Sequence, residues 1–490
     1  MSSPRFDFTA AVPAADELGA VHFVAIGGSG MSGVARMYLA RGIPVSGSDR
    51  ADSATLRALE AEGARVFVGH DPAHLEGAST VVVSSAIPED NPELAAARAA
   101  GLRVLHRSQG IAALLPGRDA VAVAGANGKT TTSAMTTVAL QAAGADPAYV
   151  IGAPLAGSGT NAAPGGEGSP VVVEADESDG SFLVYRPRVA VVTNVQPDHL
   201  DFWGDEAGVE RAYADFARTI APGGLLVTNA DDPGAARLAA RARDEGTRVV
   251  TWGTGAGEAP DVLVRDARTE GMTSSATLVW SRTLGPVTEG TTAQLRLPVP
   301  GLHSLHNATA ALLAATAGLG VPLEPVLAGL AAFPGAHRRF EHVGTAGGVE
   351  VVDDYAHNAP KVTAVVQAAR SAAAGRRVVI AFQPHLFSRT RDFAEGFAAG
   401  LAAADVLLLL PVYGAREAQE QFPDVTSGLL ADLVREAGTG TEVHLLDERG
   451  RAAEMLHTLV RPGDLVVTVG AGDITAVGPQ LLELLGEEAS

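Results

Sequence analysis

Apolar runs recur along the chain, each closed by a glycine-rich or polar turn and then by a stretch with helical spacing. VHFVAI (21–26) predicts a strand that runs into GGSGMSG, and a second strand (43–48) ends at Asp49. VVVSSA (81–86) and a helical stretch over 92–100 continue the alternation, and Leu114-Leu115-Pro116-Gly117 reads as an exit. AVAVA (120–124) predicts a buried strand, with a helix opening at Lys129; 171–175 and VAVVTN (189–194) predict two more strands. The segment 157–170, GSGTNAAPGGEGSP, is too rich in Gly, Pro and Ser to pack and predicts a mobile loop on the active face. Between Thr247 and Pro298, short strands with turns (VLVRD, ATLVW, AQLRLPV) predict an antiparallel extension, followed by an alanine-rich helix opening near Asn307. His303, His306 and Asn307 read first as caps of that helix. Past Phe333-Pro334-Gly335, strands at 349–352, 378–382, 406–410, 443–446 and 465–469 alternate with helices. The fold class is α/β, in three domains at 1–116, 117–332 and 333–490, the middle one with a mainly parallel sheet.

Composition sharpens this only in places. A length of 490 residues suits three domains at about 150 residues each. With 36 basic and 56 acidic residues the formal charge is -20, spread along the chain, which argues against general affinity for nucleic acid or anionic membrane. The absence of cysteine excludes disulfides, zinc thiolates and cysteine nucleophiles and fits a cytoplasmic protein. The N-terminal stretch lacks a basic region followed by an apolar one, so no signal peptide is expected, and no run approaches the ~20 apolar residues of a membrane span.

The chemistry gathers at strand ends. Gly28, Gly30 and Gly33 satisfy G-x-G-x-x-G between strand and helix, with Asp49 about twenty residues on, which predicts a Rossmann-like nucleotide-diphosphate site. GANGKTTT is a phosphate loop: Gly125, Ala126, Asn127, Gly128, Lys129, Thr130 and Thr131 would surround ATP phosphates, Lys129 neutralising the transferring phosphoryl and Thr130 ligating Mg2+. Val123 stands where the longer G-x-x-x-x-G-K-[ST] form needs glycine, so this is the shorter G-x-x-G-K-T loop. Glu174, Asp176, Glu177 and Asp179 follow one strand, and Asp198, His199 and Asp201 another; Glu174 and His199 are the metal candidates. In the last domain Asp353, Asp354, Tyr355 and His357, then Gln383, His385, Ser388 and Arg389, then Tyr413, Arg416 and Glu417 follow three strands and predict a cleft.

The motifs HFVAIGGSGMSG, GANGKTTT, EADESDGSF, TNVQPDHLDF, RRFE, DDYAH, FQPHLFSRT and VTVGAGDI together resemble the Mur ligase family, over essentially the whole chain after about residue 20. GGSGMSG and FQPH resemble its alanine-adding branch. The resemblance implies a Rossmann-like UDP-sugar domain, a central P-loop ATPase domain and a C-terminal Rossmann-like α/β domain. By resemblance, Gly28, Ser29, Gly30, Met31 and Ser32 would cradle the UDP diphosphate, with Asp49, His70 and Ser85 near the uridine. Thr130 and Glu174 would hold one Mg2+ and His199 a second; His303 and Asn307 would face adenine, Arg338 or Arg339 the phosphates, and Asp354 the ribose. Tyr355, His357, His385 and Arg389 would hold alanine and the muramyl carboxylate. Three departures stand out: Ala126-Asn127 where the branch commonly has Thr-His, Asn358-Ala359-Pro360 after DDYAH, and Leu386 where many relatives have arginine.

The implied reaction joins L-alanine to UDP-N-acetylmuramate at the expense of ATP, through an acyl phosphate, in peptidoglycan precursor synthesis, with a homodimer left open. Lys129, Glu174, His199 and His357 are its catalytic candidates, either histidine serving the amine. Competing readings are a tripeptide-recycling ligase on the same sugar nucleotide, an NAD(P)-dependent oxidoreductase, which leaves the second phosphate loop unexplained, and a non-catalytic nucleotide-binding relative.

Overall fold

Strands built almost wholly of Val, Ala, Ile and Leu are buried on both faces, which only a parallel sheet covered by helices on each side provides. Ala120–Ala124, Val378–Phe382 and Leu465–Val469 are buried at every position. The structure, a computed structural model, describes residues 5–447 and 449–487, leaving out the side chains of Ser29, Asp201, Arg449 and Glu487. The expected contributions of the Ser29 and Asp201 side chains therefore lie outside the described residues.

The first sheet contains β1 (Val21–Val24), β2 (Val45–Asp49), β3 (Arg65–Val68), β4 (Thr80–Val83) and β5 (Arg103–His106), all parallel, in the order β3-β2-β1-β4-β5. The order reverses at β1, so its loop and the start of helix Ser29–Ala40 open onto the crevice where doubly wound sheets bind nucleotides. The second sheet contains β6 (Ala120–Ala124), β7 (Ala148–Val150), β8 (Ala162–Ala163), β9 (Val171–Glu174), β10 (Val189–Val192), β11 (Leu225–Asn229), β12 (Arg248–Gly253), β13 (Val262–Glu270), β14 (Thr273–Trp280) and β15 (Thr292–Leu297). Its order is β15-β14-β13-β12-β11-β10-β6-β9-β7-β8, with β6 flanked by β10 and β9, so the phosphate loop emerges between the two acid-bearing strands.

The third sheet contains β16 (Glu341–Ala346), β17 (Val349–Asp354), β18 (Val378–Phe382), β19 (Val406–Leu409), β20 (Glu442–Leu445) and β21 (Leu465–Val469), in the order β16-β17-β21-β18-β19-β20. All neighbours are parallel except β16, an antiparallel edge that sequence pattern did not predict. It has no apolar run: its positions are mostly half-buried, and its register shifts between His342 and Gly344.

The chain forms two compact units. Met1–Asp266, Ala276–Leu295 and His306–Pro334 make one, and Ala267–Ser275, Arg296–Leu305 and Gly335–Ser490 the other. One continuous core in the first unit runs from Phe23 and Tyr38 under the first sheet to Phe182, Tyr213 and Phe216 under the second. Among the described residues no helix is long and apolar enough to cross a membrane.

Two expectations need correction. Part of the segment 157–170 is ordered against the sheet: β8 pairs antiparallel with β7 and Ala162 is buried, while 157–160 are exposed. Arg118 supplies what the composition lacks, donating to the carbonyls of Pro164, Gly166 and Ser169 at 2.7–3.1 Å. The alanine-rich helix starts at Leu302 and runs to Leu313, so it opens five residues before Asn307, and His303, His306 and Asn307 lie within it. The preceding Gly301, at φ +96°, makes the turn that asparagine was expected to mark.

Candidate active site

In the first unit the loop after β6 has a conformation that only small residues tolerate. Gly125 sits at φ +133°, and a Cβ there would collide with the Thr193 hydroxyl. The residues that follow β10 hold the loop. Asn194 Oδ1 accepts the Asn127 N–H (3.0 Å), and Thr193 Oγ1 and Asn194 Nδ2 donate to the Asn127 carbonyl (2.6 and 2.9 Å). Asn127 Nδ2 reaches Gln196 Oε1 (3.1 Å), so the departure from Thr-His ties the loop to TNVQPDH.

Lys129 opens helix Lys129–Ala142. Its Nζ donates to both oxygens of Glu177 (2.9 Å each) and to the Gly125 carbonyl (2.8 Å). Burial pulls the ammonium's pKa down, but Glu177 and Asp176 more than offset it and hold the charge firmly. The next residue, Thr130, donates to Glu174 Oε1 (3.1 Å), while Glu174 Oε2 accepts the Gly152 N–H (2.7 Å). Gly152 was not foreseen. A Cβ there would stand 2.5 Å from Glu174 Oε2 and 2.8 Å from Thr130 Oγ1, so a side chain at residue 152 would crowd the Thr130–Glu174 pair. On the other side of Lys129, ligand atoms of Asp176, Glu177 and His199 lie within 4.8 Å of one another. His199 reaches that position from a left-handed backbone, φ 52°. Hard oxygens with one imidazole are the donor set that a divalent cation such as Mg2+ takes.

Adenine contacts were expected from His303 and Asn307. Asn307 is buried, with its carboxamide against the loop glycine Gly128, where a Cβ would meet Asn307 Oδ1 at 2.5 Å. His303 lies in the second unit, beside its neighbour Gly301.

The sugar-nucleotide candidates occupy the first sheet. Gly28 precedes helix Ser29–Ala40, Gly30 and the buried Met31 and Ser32 form its first turn, and Asp49 Oδ2 accepts the Gly27 N–H (2.9 Å). Arg107, which sequence reasoning passed over, brings its guanidinium to that turn: a Cβ on Gly30 would lie 2.5 Å from Arg107 Nη1. A cation at a helix N-terminus makes a strong diphosphate site.

His70 is engaged inward. Its Nδ1 sits 2.9 Å from Glu93 Oε2 and from Ser48 Oγ, while Glu93, fully buried, also accepts from Ser48 (2.5 Å) and contacts His74 Nδ1 (2.8 Å). Burial pushes the Glu93 carboxyl up, but His22, Ser48 and His74 outweigh it and hold it at about 2. A folded value below the ordinary carboxylate value means Glu93 adds stability above about pH 4.5 and loses it as pH falls toward about 2. Glu93→Gln should therefore lower the urea midpoint clearly at pH 7 and much less at pH 3; an equal gap at both would contradict this.

In the second unit Asp353 is a structural node: it accepts from Thr468 (2.6 Å), Thr475 (2.7 Å) and Arg338 Nε (3.2 Å). Arg338 also donates to the Gly470 carbonyl and lies over Tyr355, 4.9 Å from the ring centre, with Arg339 at 5.2 Å. Removing the Arg338 guanidinium takes from the buried Asp353 the partner of its ion pair. Arg338→Ala should cost about 3 kcal/mol of stability in urea denaturation, and an unchanged midpoint would contradict it. Asp354 accepts the N–H groups of Phe340 and Ala356 (2.8 Å each), and burial raises its carboxyl to about 6.

His357 Nδ1 donates to the Tyr355 carbonyl (3.0 Å), which leaves the lone pair on Nε2; burial, then Lys361, lowers its pKa to about 3. His385, stacked on Tyr413, lies 5.9 Å from the His357 ring and 3.5 Å from Arg389 Nη1. Tyr355, His357, His385 and Arg389 thus gather at the ends of β17 and β18. The other departures have local causes. Asn358 caps helix Ala359–Ala373 by accepting the Lys361 N–H (3.0 Å), and Leu386 is buried at φ 69° with its N–H on the Tyr413 carbonyl.

The chain matches three family models: "Mur ligase family, catalytic domain" over residues 20–118, "Mur ligase middle domain" over 123–315, and "Mur ligase, glutamate ligase domain" over 338–472. It is 52% identical to the UDP-N-acetylmuramate--L-alanine ligase of Kineococcus radiotolerans, over 98% of each chain. With the same-named protein of Cutibacterium acnes it shares 49%, over 96% of this chain and 97% of that one. Among solved structures, the UDP-N-acetylmuramate-alanine ligase of Thermotoga maritima superimposes with a TM-score of 0.76 at 26% identity, covering 96% of this chain and all of that one. The three family models together span most of the chain, the likeness to the first relative covers 98% of it, and the protein belongs to the Mur ligase family.

Proposed function

We propose that this protein joins L-alanine to the lactyl carboxylate of UDP-N-acetylmuramate, with ATP converted to ADP and phosphate, in the cytoplasm as a step of peptidoglycan precursor synthesis. The observation that carries this reading is the presence, in one compact unit, of two anion-binding helix N-termini, one at Gly28–Ser32 with Arg107 and one at Gly128–Lys129 with Thr130, Glu174 and the Asp176–Glu177–His199 group. One suits a UDP diphosphate and the other a triphosphate. The full-length likeness to proteins named for the alanine reaction supports this member over the tripeptide-recycling one.

A carboxylate is a poor acyl donor. In the proposed first step a lactyl oxygen attacks the γ-phosphorus, the bond from that phosphorus to the β-bridging oxygen breaks, and ADP leaves an acyl phosphate behind. Such a transfer is catalysed chiefly by placement and charge neutralisation. Lys129 meets the β- and γ-phosphates once it exchanges Glu177 for them. Mg2+ held by Thr130 and Glu174, and a second ion by His199 with Asp176 and Glu177, would neutralise the remaining phosphate charge. In the second step the free alanine amine attacks the acyl carbon, the tetrahedral intermediate breaks its bond from that carbon to the phosphate oxygen, and the nitrogen's surplus proton leaves with the phosphate. With a pKa of about 3, His357 is too weak a base to deprotonate an alanine ammonium; its Nε2 lone pair suits orienting the free amine, beside Arg389 for a carboxylate.

ADP release should be measured with Mg-ATP and UDP-N-acetylmuramate, comparing L-alanine, glycine, L-serine and the L-Ala-D-Glu-diaminopimelate tripeptide. L-Alanine should give the highest kcat/KM. A preference for the tripeptide would move the protein to the recycling reaction, and no turnover with any acceptor would refute the ligase reading.

A further inference from the structure

The loop after β9 sends its last acid away from the phosphate site. Asp179 Oδ1 accepts the Ser181 N–H (3.0 Å), which orients the carboxylate, and Oδ2 accepts the hydroxyl of Ser85 (2.5 Å), which follows β4 in the first sheet. Ser85 Oγ is in turn 3.0 Å from His106 Nε2, at the end of β5. The Ser108 N–H donates to His106 Nδ1 (3.2 Å), which settles the tautomer. With the lone pair on Nδ1, Nε2–H donates to Ser85, and the Ser85 proton goes to Asp179. The imidazole is buried against the rings of Phe6 and Phe8, centroids 5.2 and 5.3 Å away. Every donor and acceptor in the chain has one direction, from the backbone of the first sheet to the loop that also carries Asp176 and Glu177.

The proposed reaction needs a carboxylate on a molecule bound at the first sheet to meet a phosphoryl group bound at the second, within about 3–3.5 Å. Between those sheets the chain His106–Ser85–Asp179 is a direct polar link, and its loop bears the residues around Lys129. We infer that Asp179 and His106 are positioning residues that act through Ser85 to set the sugar nucleotide's carboxylate against the γ-phosphoryl of ATP. This rests on the ligase reading above and adds to it the device that registers one substrate against the other.

The test uses the full-length protein with UDP-N-acetylmuramate, L-alanine and Mg-ATP, together with AMP-PNP binding in the absence of the sugar nucleotide. Asp179→Ala and His106→Gln should each lower kcat/KM for UDP-N-acetylmuramate by about a hundredfold, the size of a misplacement of about 1 Å. AMP-PNP affinity should stay within about twofold, which also reports an intact fold, and the double variant should be no worse than Asp179→Ala because both break one chain. Asp179→Asn, which still offers an acceptor to Ser85, should recover most of the activity. Wild-type kinetics in Asp179→Ala, a parallel loss of AMP-PNP affinity, additive losses in the double variant, or Asp179→Asn as damaged as Asp179→Ala would each overturn the inference. Failure of the wild type itself to turn over would instead overturn the ligase reading.

Discussion

Replacing Lys129 with methionine should cut ADP formation by about a thousandfold or more, while binding of UDP-N-acetylmuramate survives. Lys129 opens the helix at the phosphate loop and carries its charge into a nearly closed site, paired with both oxygens of Glu177 at 2.9 Å. The sugar nucleotide's candidate residues lie on another sheet, around Gly28–Ser32 and Arg107. Loss of the lysine alone also leaves the buried Glu177 carboxyl, which burial already pushes up, without its partner and perturbs the site. The fair comparison therefore includes Lys129→Met with Glu177→Gln, which removes both charges together. Calorimetry with UDP-N-acetylmuramate and a coupled ADP assay measure the two halves. Loss of both functions together in the double variant would show that the two sites are not separable.

Gly152→Ala should raise the half-saturating Mg2+ concentration and lower ATP turnover by about ten- to a hundredfold, the usual effect of disturbing what supports a metal's ligands. The backbone N–H of Gly152 holds Glu174 Oε2, and the added methyl would press on both Glu174 oxygens and on the Thr130 hydroxyl. The chain is not in the left-handed region at this position, so the effect comes from crowding and not from backbone strain. Excess Mg2+ should recover part of the activity. Unchanged Mg2+ dependence would contradict the placement of a cation between Thr130 and Glu174.

Gly152 shows where sequence reading ends. It follows a short strand and belongs to no pattern, and its importance comes from the approach of a carboxylate 22 residues away in the chain. The phosphate loop was legible because its parts are contiguous and their chemistry is fixed by residue type, as were strands such as β6, β18 and β21, whose burial on both faces forces uninterrupted apolar runs. Edge strand β16 was not, because half-exposed edges need no such run. Arg107 and His106 are single residues at the end of β5, visible as functional only when the fold brings them to Gly30 and Asp179. The segment 157–170 was misread because composition counts side chains, whereas Arg118 pins that loop by its carbonyls. In the second unit the DDYAH motif divides in a way that residue type alone does not show. Asp353 holds Arg338 and two threonines, and Asp354 closes a turn, while Tyr355 and His357 of the same motif lie beside His385.

If ATP activates the lactyl carboxylate itself, one oxygen of that carboxylate must leave in the phosphate. UDP-N-acetylmuramate carrying 18O in both carboxylate oxygens would be incubated with the protein, Mg-ATP and L-alanine, and the phosphate analysed by mass spectrometry. Transfer of one labelled oxygen to each phosphate released, with the other retained in the new amide, is the predicted result. Unlabelled phosphate accompanying amide formation would contradict the acyl-phosphate account.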